Sequence, residues 1–263
     1  MKKVFSLCFC LVLILTGCSA TYNEQVMNSF TRMEKQTPPA DFIPKNVSVA
    51  SVGDSLTEGV GDLNKQGGYI QYLKELMESR KEIQTANFLN FGVKGNRTDQ
   101  LLQRLKQEEV KEGIENADLV IITIGGNDVM QVFKENLTGL QINQFLEAEK
   151  GYKQRLTEIM QLISTYNSTA EIVLVGIYNP FIKWFADITE VEQIITSWNQ
   201  TSLNVISEFN HTSFVMVDDI FKNAEEDLLY TDYFHPNNKG YELMANRIYS
   251  SMEQRGILQS ILE

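Results

Sequence analysis

The chain has 263 residues, 43% of them hydrophobic, and a formal net charge of -11. That length suits one large domain of α/β size better than two small ones, and no internal repeat or low-complexity tract divides it. The acidic balance argues against a nucleic-acid partner and against a polybasic grip on anionic lipid.

A targeting segment comes first. Lys2 and Lys3 precede an apolar run over residues 4–15 that is too short to span a bilayer and has the shape of a secretory signal. Its ending, Leu15-Thr16-Gly17-Cys18, resembles the bacterial lipobox. That resemblance implies that Cys18 receives a diacylglyceryl group and becomes the mature N-terminus. Two acyl chains anchor stably, since each buried methylene contributes roughly 0.8 kcal/mol. The expected location is therefore the extracytoplasmic face of the cell membrane. Cys8 and Cys10 leave with the signal, so no disulfide is expected in the mature protein. Residues 19–46 are polar and end in Pro38, Pro39 and Pro44, a composition that suits a tether for a domain over residues 47–263.

From Val47 onward the pattern alternates strand and helix. Strands are predicted over residues 47–53, 85–93, 118–125, 171–178 and 213–217, the middle ones being continuous apolar runs of the kind covered on both faces. Between them, helical spacing recurs in Tyr69, Leu73 and Leu76; in Leu101, Leu102 and Leu105; in Leu156, Ile159, Met160 and Ile163; and in Ile194, Ile195, Trp198 and Leu203. A last helix is predicted from Asn238 towards Gln254. Such alternation implies a parallel sheet with helices on both faces, in which ligands bind at the carboxyl ends of the strands. Residues 129–149 have mixed periodicity and read either as a flap over the site or as an ordinary helical connection. Phe181, Trp184 and Phe185 make the loop after the fourth strand rich in aromatics, which reads either as core packing or as an apolar wall for an acyl chain.

Ser55 follows the first strand in Gly53-Asp54-Ser55-Leu56, where the glycine and aspartate force a turn. A hydroxyl held there is a nucleophile if a base reaches it, and a helix cap if none does. The chain has only two histidines. His211 reads as a surface residue. His235 lies in Asp232-Tyr233-Phe234-His235-Pro236, where Pro236 biases it to an extended backbone, so a turn must bring Asp232 to one ring nitrogen and leave the other for Ser55. Candidate donors to an oxyanion are the Ser55 N–H, the Gly95 N–H and the Asn127 side-chain amide; Gly95 and Asn127 also read as plain loop and turn residues.

Gly53-Asp54-Ser55-Leu56, Gly95 within Asn90-Phe91-Gly92-Val93-Lys94-Gly95-Asn96, Gly125-Gly126-Asn127-Asp128, and Asp232 with His235-Pro236 resemble, in order, the four blocks of the SGNH/GDSL hydrolase family. The lipobox together with these blocks resembles the GDSL lipase/acylhydrolase lipoproteins of Gram-positive bacteria. The resemblance implies a flavodoxin-like three-layer α/β/α sandwich with a five-stranded parallel sheet. It also implies a triad of Ser55, Asp232 and His235, an oxyanion hole of Ser55, Gly95 and Asn127, and hydrolysis of carboxylic esters without a cofactor or metal. The second block leaves open whether Gly95 or Gly92 supplies the N–H.

Three other readings compete. One is deacetylation of cell-wall glycan esters. Another is a two-metal phosphoesterase using Asp54, Asn127, Asp128, Asp232 and His235, which are ligand types but include few histidines. The last is a non-catalytic binding lipoprotein on the same fold. No Gly-x-Ser-x-Gly elbow occurs, so the α/β-hydrolase reading lacks its anchor.

Overall fold

Five apolar runs become five parallel strands in the computed structural model, which describes residues 43–179, 181, 188–222, 224 and 227–263. The targeting segment with Cys18, the tether as far as residue 42, and Trp184 and Phe185 lie outside the described residues. β1 (Lys45–Gly53) leads into the single turn of α1 (Ser55–Glu58), then α2 (Tyr69–Glu78) and β2 (Ile83–Gly92). α3 (Thr98–Arg104) and α4 (Glu108–Glu115) precede β3 (Leu119–Thr123). α5 (Gly126–Glu135) and the long α6 (Ile142–Tyr166) precede β4 (Glu171–Val175), and α7 (Thr189–Ile206) precedes β5 (Thr212–Val215). α8 (Asp218–Lys222), α9 (Asn238–Gln254) and α10 (Ile257–Ser260) complete the order.

The strands lie in the order β2-β1-β3-β4-β5, each pair parallel. The connection after β1 runs to β2 on one side and the connection after β3 runs to β4 on the other, which places a topological switch point, and hence a crevice, at the carboxyl ends of β1 and β3. Alternate strand residues feed two cores, because successive side chains of a strand point to opposite faces. Val47, Val49, Leu119, Ile121 and Val173 pack with Leu73, Met77, Met244 and Ile248 of α2 and α9. Ala50, Val52, Val120, Ile122 and Ile172 pack with Leu101, Leu156, Ile159 and Trp198 of α3, α6 and α7. All five residues of β3 are buried. Each large aliphatic side chain so buried contributes about 1.5–3 kcal/mol, so the central strand tolerates no alternation with polar residues.

The predicted strands are all present, with shifted ends. β1 begins at Lys45, two residues before the expected domain boundary, because Lys45 and Asn46 already pair with Ile83 and Thr85. β3 stops at Thr123 rather than 125, since Gly125, at φ 111°, turns the chain into α5. β4 stops at Val175 rather than 178 because the Asn199 side chain takes over the backbone of Ile177, accepting from its N–H at 2.8 Å and donating to its carbonyl at 2.7 Å. The mixed periodicity over residues 129–149 arises from two helices, α5 and the start of α6, so this segment is a helical connection. The helix predicted from Asn238 runs to Gln254.

Candidate active site

Ser55 is the first residue of α1 and is 2% exposed. Asp54 caps that helix: its Oδ1 accepts from Leu56 N–H at 3.0 Å and from the Thr123 hydroxyl at 2.9 Å. Thr123 Oγ1 lies 2.7 Å from Thr57 Oγ1, which lies 3.1 Å from the Tyr69 hydroxyl. This buried chain of hydroxyls seams β1, α1, β3 and α2 together beneath the serine. Burial pushes the Asp54 carboxyl up to about 7, even though Leu56 and Thr123 donate to it.

The histidine arrives from the far end of the chain through a turn that folds on itself. Leu229 and Pro236 form an antiparallel bridge, and Tyr230 N–H donates to the His235 carbonyl at 2.7 Å. Within the turn, Tyr233 takes a left-handed conformation, φ 54°, uncommon for a bulky residue. Asp232 Oδ1 accepts from the N–H groups of Phe234 and His235, both at 3.0 Å. Its Oδ2 lies 2.6 Å from His235 Nδ1, and His235 Nε2 lies 2.9 Å from Ser55 Oγ. Burial raises the Asp232 carboxyl, but the bonds from the His235 ring and from the His235 and Phe234 backbone outweigh it, so its pKa falls below the ordinary range. The ionised carboxylate fixes the His235 tautomer with Nδ1–H facing Asp232, which leaves Nε2 to accept from the serine.

The turn is fastened to the serine side by α9. The Tyr241 hydroxyl donates to the Val60 carbonyl at 2.7 Å, Asn238 Nδ2 donates to Asp62 Oδ1 at 3.0 Å, and Leu63 N–H donates to Asn238 Oδ1 at 3.1 Å. The loop after α1 and the start of α9, some 175 residues apart in sequence, are thereby one rigid block. The Tyr178 hydroxyl adds a donor to the Phe234 carbonyl.

Opposite the histidine stand the amide donors. Among the described residues the Ser55 N–H has no acceptor, as expected for the first turn of a helix. Gly92 and Gly95 differ in kind. Gly92 ends β2, its N–H donates to Asn90 Oδ1 at 2.9 Å, and a Cβ there would lie 2.1 Å from Glu58 N, so this glycine permits close packing of β2 on α1. Gly95 sits at φ 80° with nothing within 4 Å of where a Cβ would be, and its N–H has no acceptor among the described residues. Gly95 is therefore the glycine with a donor to spare. Asn127, in the first turn of α5, uses one hydrogen of Nδ2 on the Asn96 carbonyl at 3.0 Å, which ties it to the Gly95 loop and leaves the other free.

A small cavity of about 30 Å³ is bounded by Ser55, Thr123, Asn127, Ile177, Tyr178 and Phe234. A second, apolar one of about 330 Å³ lies between α5, α6 and α7, lined by Val129, Phe133, Phe145, Phe181, Ile188 and Ile194. Phe181 is 4% exposed and walls that cavity, its ring centroid 4.5 Å from that of Phe133 with the planes tilted by 44°. His211 is half exposed and lies 3.4 Å from Glu171, away from the serine. The residues weighed as metal ligands are engaged elsewhere: Asp54 on Leu56 and Thr123, Asp128 on Thr98, His235 between Asp232 and Ser55. Among the described residues no three His, Cys, Asp or Glu side chains converge as a metal-binding group. Sequence reasoning gave no part to the Tyr178 hydroxyl, which donates to the Phe234 carbonyl, or to Arg155 of α6, whose Nη2 donates to Asp128 Oδ1 at 3.2 Å. The only available signal for Arg155 was Asp128 itself, a carboxylate expected to be buried and so in need of a cation.

The sequence profile of the GDSL-like lipase/acylhydrolase family matches residues 51–243, which spans every side chain placed around Ser55. The uncharacterized protein YpmR of Bacillus subtilis strain 168 is 35% identical over 257 residues, 97% of this chain and 98% of its own. The spore germination lipase LipC of Bacillus licheniformis is 27% identical over 202 residues, 75% of this chain and 92% of its own. Among solved structures, the lipase Lip_vut3 from a goat rumen metagenome superposes with a TM-score of 0.71 at 25% identity, covering 78% of this chain and 97% of that one. A parallel sheet ordered 2-1-3-4-5, a serine opening the helix after its first strand, and a profile match over most of the domain all lead to one assignment: this chain belongs to the GDSL-like lipase/acylhydrolase family.

Proposed function

We propose that the protein is a serine esterase, held at the extracytoplasmic face of the membrane by a lipid on Cys18, which hydrolyses carboxylic esters through an acyl-enzyme on Ser55. The observation that carries the chemistry is the continuous chain Ser55 Oγ to His235 Nε2 at 2.9 Å and His235 Nδ1 to Asp232 at 2.6 Å. In the first step Ser55 Oγ bonds to the ester carbonyl carbon while its proton passes to His235 Nε2. Asp232 stabilises the imidazolium, and the developing oxyanion takes hydrogen bonds from Ser55 N–H, Gly95 N–H and Asn127 Nδ2. The carbon–oxygen bond to the alcohol then breaks, and the alcohol leaves with the proton from His235. Water, giving its proton to His235, attacks the acyl-enzyme, and the serine regains that proton as the acid departs.

The apolar cavity supports an acyl-chain ester as the substrate class. At about 330 Å³, it matches some ten methylene- or water-sized groups, and α5, whose first turn carries Asn127, supplies Val129 and Phe133 to its wall. Its rim at Leu140, Ile142 and Ile188 is exposed, as suits a site fed by a chain from outside. The lipase name of the relative LipC supports the same class. A second reading, deacetylation of glycan esters, is favoured by the small size of the cavity beside Ser55 itself. A rate series from acetate to palmitate esters, with Ser55→Ala as the blank, separates them. Rising kcat/KM up to a medium chain supports the acyl-chain reading, and activity confined to acetylated sugars supports the other. Activity that survives Ser55→Ala would exclude both.

A further inference from the structure

The loop that carries Gly95 is gripped at both ends by carboxylates. On one side, Lys94 N–H donates to Glu58 of α1, the helix that Ser55 opens. On the other, Thr98 N–H donates to Asp128 Oδ2 at 3.0 Å, and the Thr98 hydroxyl donates to Oδ1 at 2.5 Å. Asp128 is the residue after Asn127, so this second grip fixes Gly95 relative to the amide that faces the same point. Both partners are buried, Thr98 at 0% and Asp128 at 4% exposed. A carboxylate so far from water needs a counter-charge. Arg155 supplies it from the middle of α6, where Nη2 donates to Asp128 Oδ1 at 3.2 Å and Nε donates to Thr98 Oγ1 at 2.7 Å. The guanidinium passes over Gly151, one turn earlier, where a Cβ would lie 2.9 Å from Nη1; glycine inside a long helix costs stability and is explained here by that passage.

From this clamp we infer that Arg155 is a positioning residue for ester hydrolysis: by holding the Thr98–Asp128 pair it sets the spacing of the Gly95 and Asn127 donors around the oxyanion. The inference rests on the acyl-transfer reading above. Its physical content is that Asp128 must stay ionised to accept from both groups of Thr98. Burial raises the Asp128 carboxyl against the Thr98 bonds and the Arg155 charge. The other titratable groups facing it, Tyr152 on α6 and Asp54 at the end of β1, carry no positive charge. Without the guanidinium, Asp128 gains a proton as the pH falls. A protonated carboxyl has only one good acceptor oxygen, so the Thr98 end of the loop is released.

Steady-state kinetics on an acetate ester from pH 5 to 9, with the full chain, test this. For Arg155→Met, kcat should fall about 10- to 100-fold, less than or comparable to the loss of one oxyanion donor, with KM within about twofold. The acid limb of its pH profile should move to higher pH. Arg155→Lys should recover much of kcat by restoring the charge without the two-pronged geometry. A kcat for Arg155→Met within about twofold of the parent and an unmoved acid limb would overturn the inference, as would a loss that Arg155→Lys does not relieve at all. Amide hydrogen exchange over residues 93–99 reads the clamp without turnover. It should quicken at least tenfold in Arg155→Met, and unchanged exchange also overturns the inference. If the parent protein itself hydrolyses no ester, the acyl-transfer reading fails, and the exchange result still decides whether the clamp exists.

Discussion

The two sides of Ser55 are built in contrasting ways. The imidazole side is one local turn, residues 229–236, closed by its own backbone bridge and by Asp232, with the whole relay contained in four consecutive residues. The amide side is assembled from pieces of α1, the loop between β2 and α3, α3, α5 and α6, joined by side chains that reach across 27 to 57 positions. A local turn can place a proton acceptor because its geometry is set by chain connectivity. An oxyanion pocket needs donors that converge from different directions, and only tertiary packing supplies those.

Mutations on the two sides should therefore fail differently. The largest effect belongs to the imidazole side: His235→Ala should cost about 10⁴-fold or more in kcat, and Asp232→Asn about 10²- to 10⁴-fold, with thermal stability nearly unchanged because the turn keeps its backbone bonds. On the amide side, Asn127→Ala should cost about 10²- to 10³-fold in kcat. It should also loosen the loop, since the Asn96 carbonyl loses its donor. A double-mutant comparison of Asp232→Asn with Asn127→Ala sharpens the contrast: losses well short of additive would show that the two sides act on one transition state.

A smaller effect concerns the seam on which both sides rest. The Asp54 carboxyl, at about 7 against an ordinary 3.8, keeps a proton in the folded chain that the unfolded chain releases between those values. That contribution to stability is complete below about pH 4 and is lost as the pH rises through 7. Asp54→Asn keeps an acceptor for Leu56 and Thr123 and removes the titration. Denaturant unfolding at pH 5 and pH 8 should show the parent losing on the order of 2 kcal/mol that the variant retains. Equal slopes in the two proteins would mean that Asp54 is ionised throughout.

How much the sequence revealed tracks the same division. The strands were legible because a sheet covered on both faces demands unbroken apolar runs such as 119–123, and the convergence of Ser55, Gly95 and Asn127 on one rim followed from their places after successive strands. The strand ends were less so, since the stop of β4 depends on Asn199 from a helix not yet reached in the chain. Ser55, Asp232 and His235 could be named because a turn with Asp three residues before the only well-placed histidine is a local pattern. The choice between Gly92 and Gly95 could not be made, because it depends on how closely β2 approaches Glu58. Arg155 was hidden for a similar reason: its one signal, Asp128, lies 27 residues away, and nothing in α6 itself distinguishes it from a surface cation.

The relay from Asp232 through His235 makes Ser55 an activated hydroxyl, and covalent labelling reads that activation. A fluorophosphonate probe incubated with the folded protein at neutral pH, followed by mass spectrometry of the peptide containing residue 55, should give one adduct per chain on Ser55. The adduct should be absent in Ser55→Ala and much slower to form in His235→Ala. A folded protein that takes up no label, or that labels equally fast without His235, would contradict the account.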